Sequence, residues 1–149
     1  MRSTVVIEIP RPRRQVAMLF ADPANMTKWM RDLERYEHIG GENGAVGARY
    51  RMVFKTGRRQ RAFVSTVTDM YLPERLSHRI ESRQMDVLVR TTFTALAKDR
   101  TKMESKTNFI FHGMFRRLLS LFTRRAIRRR HRDDIQAFKR FAESAQPPT

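Results

Sequence analysis

The chain has 149 residues, a mass of 17.7 kDa and no cysteine, which excludes disulfide scaffolds, thiol catalysis and thiolate metal sites. Thirty-one Lys and Arg against fifteen Asp and Glu give a net charge of +16, which attracts anionic partners without choosing among nucleic acid, anionic lipid and acidic protein. Hydrophobic residues make up 40%, and no apolar run reaches the ~18 residues of a membrane span, so one globular domain over residues 1–149 is expected, placed in the cytoplasm.

Val5, Ile7 and Ile9 alternate with Val6 and Glu8, which predicts a strand buried on one face and ended by Pro10 and Pro12. From Arg13 the period becomes helical, with Val16, Leu19 and Phe20 on one face. Asp22-Pro23 then caps a second short helix carrying Met26, Trp29 and Met30. Residues 34–39 read as the next strand. Gly40, Gly41, Asn43, Gly44 and Gly47 follow as a loop of turn formers. That loop lacks the G-x-x-x-x-G-K-[ST] pattern and leads into a strand rather than a helix, so it reads as a turn and not as a phosphate cradle.

From Arg49 to Phe111 the pattern is one of successive antiparallel strands. Tyr50, Met52 and Phe54 share a face, and Thr56-Gly57-Arg58 forms a hairpin tip. Further strands are predicted over 61–71, 75–83, 86–97 and 101–111, with a turn at Leu72-Pro73-Glu74 and a tip at Lys98-Asp99-Arg100. Arg90 is placed on the outer face, opposite Val87, Val89 and Phe93. Gly113 opens a long helix over 113–143, whose stripe includes Phe115, Leu118, Leu119, Phe122, Ile127, Ile135 and Phe138. The tail Gln146-Pro147-Pro148-Thr149 is expected to fray.

This order predicts an α+β fold: a curved antiparallel sheet of about seven strands gripping the C-terminal helix, with two short helices after strand 1. A curved sheet bends away from a straight helix, so a cavity is expected between them. The chain resembles the SRPBCC superfamily of START-like, helix-grip proteins, which includes polyketide cyclase/dehydrase-like proteins and lipid-transport domains. The resemblance rests on Ile7-Glu8-Ile9-Pro10 followed by Gln15–Pro23, on Trp29, on Gly44 and Gly47, on Tyr71–Leu76, and on the closing helix. It implies the fold and the cavity more than any chemistry, because this fold hosts carriers and cyclases alike.

Strand alternation and the helix stripe place Trp29, Tyr50, Met52, Phe54, His78, Phe93, Phe109, Phe115, Leu119 and Phe122 around the cavity. His78 shares a face with Leu76 and Ile80, as a packed core histidine or as a polar handle for a ligand. His38, His78, His112 and His131 show no metal-ligand spacing, so no metal and no cofactor is expected. The expected function is binding or transport of a small hydrophobic or amphipathic molecule. The alternative is a cyclase/dehydrase-like enzyme, with Tyr50, His78, Asp69 and Ser105 as acid/base candidates that the sequence does not pair.

Residues 124–132 read Arg-Arg-Ala-Ile-Arg-Arg-Arg-His-Arg, and residues 113–149 hold ten basic and three acidic groups. The run reads as a solvated helix back, or, as a weaker functional alternative, as a surface for an anionic membrane, a nucleic-acid backbone or an acidic partner through Arg124, Arg125, Arg128 and Arg129. No aromatic residues interleave with the arginines, so sequence-specific nucleic-acid readout is not expected. A monomer or a homodimer is expected.

Overall fold

The computed structural model describes residues 1–118 and 120–145, so the Gln146–Thr149 tail lies outside the described residues. The alternating segments form β1 (Arg2–Ile9), β2 (Leu33–Gly40), β3 (Arg49–Thr56), β4 (Arg59–Tyr71), β5 (Arg75–Glu81), β6 (Met85–Ala97) and β7 (Arg100–Phe111). Between β1 and β2 stand α1 (Arg13–Ala21), a 3₁₀ turn (Pro23–Asn25) and α2 (Met26–Trp29). After β7, a 3₁₀ turn (Gly113–Leu118) precedes α3 (Leu121–Ser144).

The seven strands make one antiparallel sheet in the order β1-β7-β6-β5-β4-β3-β2. Strands β2 to β7 form the predicted meander. β1 returns to pair with β7, so β1 and β2, neighbours in sequence, stand at opposite edges. The chain between them has to cross the face of the sheet, and this lays α1 and α2 over it. Register shifts insert one extra residue at Glu34, Ile39, Thr68 and Leu96. Such bulges bend the strand that carries them and increase its twist, which curls the sheet into a concave face.

That face is built by alternation: Ile7 and Ile9 of β1, Tyr50 and Met52 of β3, Leu76 of β5, Val87 and Phe93 of β6, and Met103 of β7 are all buried. From α1, Val16, Ala17 and Phe20 face it. Asp22 caps the following turn by accepting a 3.0 Å bond from the Ala24 amide, as the Asp-Pro pair predicted. In the loop before β3, Gly41 has φ +67 and lies so close to Gly47 that a Cβ would sit 2.3 Å from the Gly47 carbonyl oxygen, so only glycine fits there.

The C-terminal helix departs from expectation. It begins at Leu121, not at Gly113, because Ser120 is its N-cap: the Ser120 hydroxyl accepts from the Thr123 amide at 3.2 Å. The two readings give opposite signs for one substitution. In the middle of a helix, Ser120→Ala would stabilise slightly, because alanine is the better helix former. At an N-cap it is expected to destabilise by about 0.5–2 kcal/mol, which urea unfolding followed by circular dichroism will measure.

The buried residues of α3 are His131, Ile135, Phe138 and Ala142, spaced 4, 3 and 4 apart. None of Leu121–Arg130 is buried. The sheet therefore grips the second half of the helix, while the first half stands off it.

Candidate functional site

Where α3 stands off, a cavity of about 550 Å³ opens between helix and sheet. Its wall is mostly apolar. α2 contributes Met26 and Trp29, β3 gives Met52 and Phe54, β4 gives Phe63, β5 gives His78 and Ile80, and β6 gives Val87 and Val89. Ser105, Thr107 and Phe109 of β7 close it from one side; Thr123, Ala126, Ile127, Arg130, His131, Asp134 and Ile135 of α3 cover it. The lining residues that are also exposed are Asp32, Thr56, Arg59, Arg61 and Ala126, and they mark its mouth. That mouth lies between the β3–β4 hairpin tip, the α2–β2 turn and the first turns of α3.

Trp29, Met52, Phe54, His78 and Phe109, all expected around the cavity, are in its wall. Tyr50 instead faces a smaller adjoining pocket that shares Phe20, Met26 and His78 with the main one. Its hydroxyl is occupied, donating to Asn43 Oδ1 at 2.7 Å and accepting from the Gly44 amide at 2.8 Å. Three placements are corrected. Phe93, only 2% exposed, packs edge-on against Phe20 with ring centres 5.8 Å apart, as core beneath α1 and not in the cavity wall. Phe115 is half-buried in the 3₁₀ turn before α3 and does not reach the wall. Phe122 is 84% exposed. It precedes His131 by nine residues, about 180° around a helix of 3.6 residues per turn, so it points away from the sheet. Leu119 lies outside the described residues.

The polar groups of the wall decide what the cavity can do. His78 sits where the two pockets meet, and its ring has no hydrogen-bond partner among the described residues. Burial pushes it down to about 4, so near neutral pH it is an uncharged imidazole offering one donor and one acceptor. His131 is fully engaged instead. Ser3 Oγ lies 2.8 Å from its Nδ1, while Ser105 Oγ and Thr107 Oγ1 lie 2.9 and 3.2 Å from its Nε2. Burial pushes it, too, down to about 4.

Arg130 ties α3 to the α2–β2 turn. It donates to Asp134 Oδ2 at 2.9 Å and to the Arg31 carbonyl, and it stacks over the Phe54 ring at 5.9 Å. Burial pushes the Asp134 carboxyl up despite Arg130, and its Oδ1 has no partner among the described residues. The Trp29 indole N–H is likewise buried and unpartnered.

Of the four acid/base candidates, His78 and Ser105 reach the main cavity. Asp69 is taken up by Arg75 at 2.7 Å and lies outside the wall. The structure gives Ser105 a base that sequence reasoning did not pair with it, His131. A signal existed: stepping the Ile135–Phe138–Ala142 stripe back by four lands on His131, hidden inside the arginine run. β7, however, is paired on both sides, with Ser105 opposite Val5 and Thr91, so the ladder consumes the backbone amides that would have to stabilise an oxyanion. Among the described residues, no cluster of three or more His, Asp or Glu side chains is placed to hold a metal ion. Arg90 is exposed on the outer face, and no described helix is long and apolar enough to cross a membrane.

A family model described as polyketide cyclase / dehydrase and lipid transport matches residues 1–143. No curated protein matches the sequence. Among solved structures, the chain is similar to the Zhui aromatase/cyclase from Streptomyces sp. R1128, at 14% identity and TM-score 0.79, covering 96% of this chain and 93% of that one. It is similar to a conserved protein from Geobacillus kaustophilus at 15% identity and TM-score 0.75, covering 95% of both chains. Norcoclaurine synthase from Thalictrum flavum matches at 12% identity and TM-score 0.69, over 99% of this chain and 89% of that one. At these identities the likeness is one of fold.

Proposed function

The chain belongs to the polyketide cyclase/dehydrase and lipid transport family, and on that premise we propose that it binds a small apolar or amphipathic molecule between sheet and helix. One observation carries this reading: a cavity of about 550 Å³, open to solvent at one end, whose wall is mostly apolar. That volume lies within the roughly 300–1,000 Å³ of small-molecule sites. Trp29, Met52, Phe63 and Ile80 supply apolar surface, and the unpartnered His78 ring offers one orienting hydrogen bond at the inner end. A ligand with an apolar body and a single hydroxyl or carbonyl there would satisfy the imidazole without introducing charge.

A second reading, a cyclase/dehydrase-like enzyme, is favoured by Asp134. Its raised carboxyl with a free Oδ1 shares the cavity with His78, which is the kind of environment that keeps an acid available for proton transfer. Binding stands first because the wall that both groups share is mostly apolar.

The test is a fluorescence titration. Trp29 is the only tryptophan and lies in the wall, so its emission is expected to change as an apolar naphthalene probe enters. Val89→Trp, which fills the cavity, should weaken the probe at least tenfold while circular dichroism stays unchanged. His78→Leu should spare the naphthalene but weaken a ligand carrying a carbonyl by about 5–10-fold, the value of one hydrogen bond. Binding should depend little on salt. Unaltered probe affinity in Val89→Trp would sink the proposal. Turnover of an aromatic polyketide that is lost in Asp134→Asn would favour the enzyme.

A further inference from the structure

The three most exposed large apolar side chains among the described residues sit together in the chain, just before and at the start of α3. Met114 is 83% exposed, Leu121 66% and Phe122 84%. Water is a poor solvent for such a group, and among the described residues nothing covers it. Arginines surround it. Between Gly113 and Arg132 there are eight, and not one Asp or Glu. Arg130 is engaged with Asp134, but Arg124, Arg125, Arg128 and Arg129 are exposed and make no ion pair among the described residues. The same turns of α3 place Thr123, Ala126 and Ile127 in the cavity wall, and Arg59 and Arg61 stand on the hairpin across the mouth. The first turns of α3 therefore carry exposed apolar side chains and unpaired guanidinium groups together, on the solvent side of the helix rather than on its cavity side.

We propose that this face docks on an anionic lipid bilayer, with Leu121 and Phe122 entering the interface and the arginines meeting lipid phosphates. The combination selects the occupant. A surface on which bulky apolar groups stand among cations lies in a headgroup layer, where both find partners. Arginine stems lie along the apolar boundary while their planar heads bind phosphate in pairs. A nucleic acid would engage the arginines and leave Phe122 and Leu121 in water. A second copy would bring the same positive face against this one, in a chain that already carries +16. The inference goes beyond the ligand reading and does not depend on it, since the naphthalene titration of the cavity is measured without lipid.

The experiment is vesicle sedimentation with the full chain, using phosphatidylcholine alone or with phosphatidylglycerol at about a third of the lipid. Binding is expected to the mixed vesicles, at least tenfold weaker to phosphatidylcholine, and falling steeply with salt. Replacing Arg124, Arg125, Arg128 and Arg129 together by Gln should reduce binding at least a hundredfold and remove most of the salt dependence. Leu121→Ser with Phe122→Ser should reduce it at least tenfold with all the charge retained. These side chains are exposed, so the variants should keep the wild-type circular dichroism and naphthalene affinity. In Trp29→Phe with Phe122→Trp, lipids brominated near the headgroup should quench the new tryptophan. Vesicle binding that survives the loss of Leu121 and Phe122, or an unquenched tryptophan at 122, would overturn the proposal and leave an arginine surface for polyanions such as nucleic acid.

Discussion

Replacing Phe138 by alanine is expected to cost about 3–5 kcal/mol, the range for truncating a fully buried aromatic. Phe138 is 0% exposed and is the point at which three helices meet. Its ring packs edge-on against Phe20 of α1 at 5.1 Å and against Trp29 of α2 at 5.3 Å, and it lies 6.4 Å from Phe141. Removing it opens a void that β-strands on one side and two crossing helices on the other are poorly able to close. Domains of this size are stable by only about 5–15 kcal/mol, so the loss is a large fraction of the total. Urea unfolding should show a much lower midpoint, and Trp29 emission should shift to the red because its neighbour is gone. A loss under about 1 kcal/mol would be typical of a surface site and would mean that α3 is not seated as described.

Mild acid is expected to destabilise the fold through His78 and His131. Burial holds both near 4 in the folded protein, against an ordinary 6.5 when exposed. Between those values the unfolded chain binds more protons than the folded one, so stability falls as pH falls. The slope is about 1.4 kcal/mol per pH unit for each histidine, and it flattens above 6.5, where both states are neutral. Asp134 acts the other way: burial raises its carboxyl, so protonating it as pH falls relieves a cost. Two histidines against one carboxylate leave a net loss between pH 6.5 and 4.5. Urea midpoints at pH 7, 6 and 5 will measure it. His78→Gln and His131→Gln should each remove about one histidine's share of the slope, whatever they do to stability at pH 7. An unchanged slope in both would show that neither ring is held neutral by the fold.

Much of the fold was legible because its signals are local. The alternation in β1, β3 and β6, the Asp22-Pro23 cap and the Gly57 tip each need only neighbouring residues, and a short connection leaves two adjacent strands little choice but to pair. The family resemblance was legible for the same reason: it rests on segments such as Gln15–Pro23 and Tyr71–Leu76 read in order. The helix start was misplaced because the apolar spacing from Phe115 to Ile127 continues through Ser120, and periodicity cannot show that a serine hydroxyl has taken the Thr123 amide. His131 was passed over because its neighbours in sequence are arginines, while its neighbours in space are Ser3, Ser105 and Thr107.

The sequence by itself determined the strands, the two crossing helices, the basic closing helix and the strand side chains that face inward, because a period of two assigns each strand residue to a side. Only the tertiary structure decided which inward side chains are core and which are cavity wall. Phe93 and Val89 lie on the same face of β6, yet the first is packed under Phe20 and the second borders open space. The difference is where the straight α3 leaves the curved sheet. That point is set by bulges, a serine cap and the seating of Phe138 on α1 and α2, contacts between segments far apart in the chain.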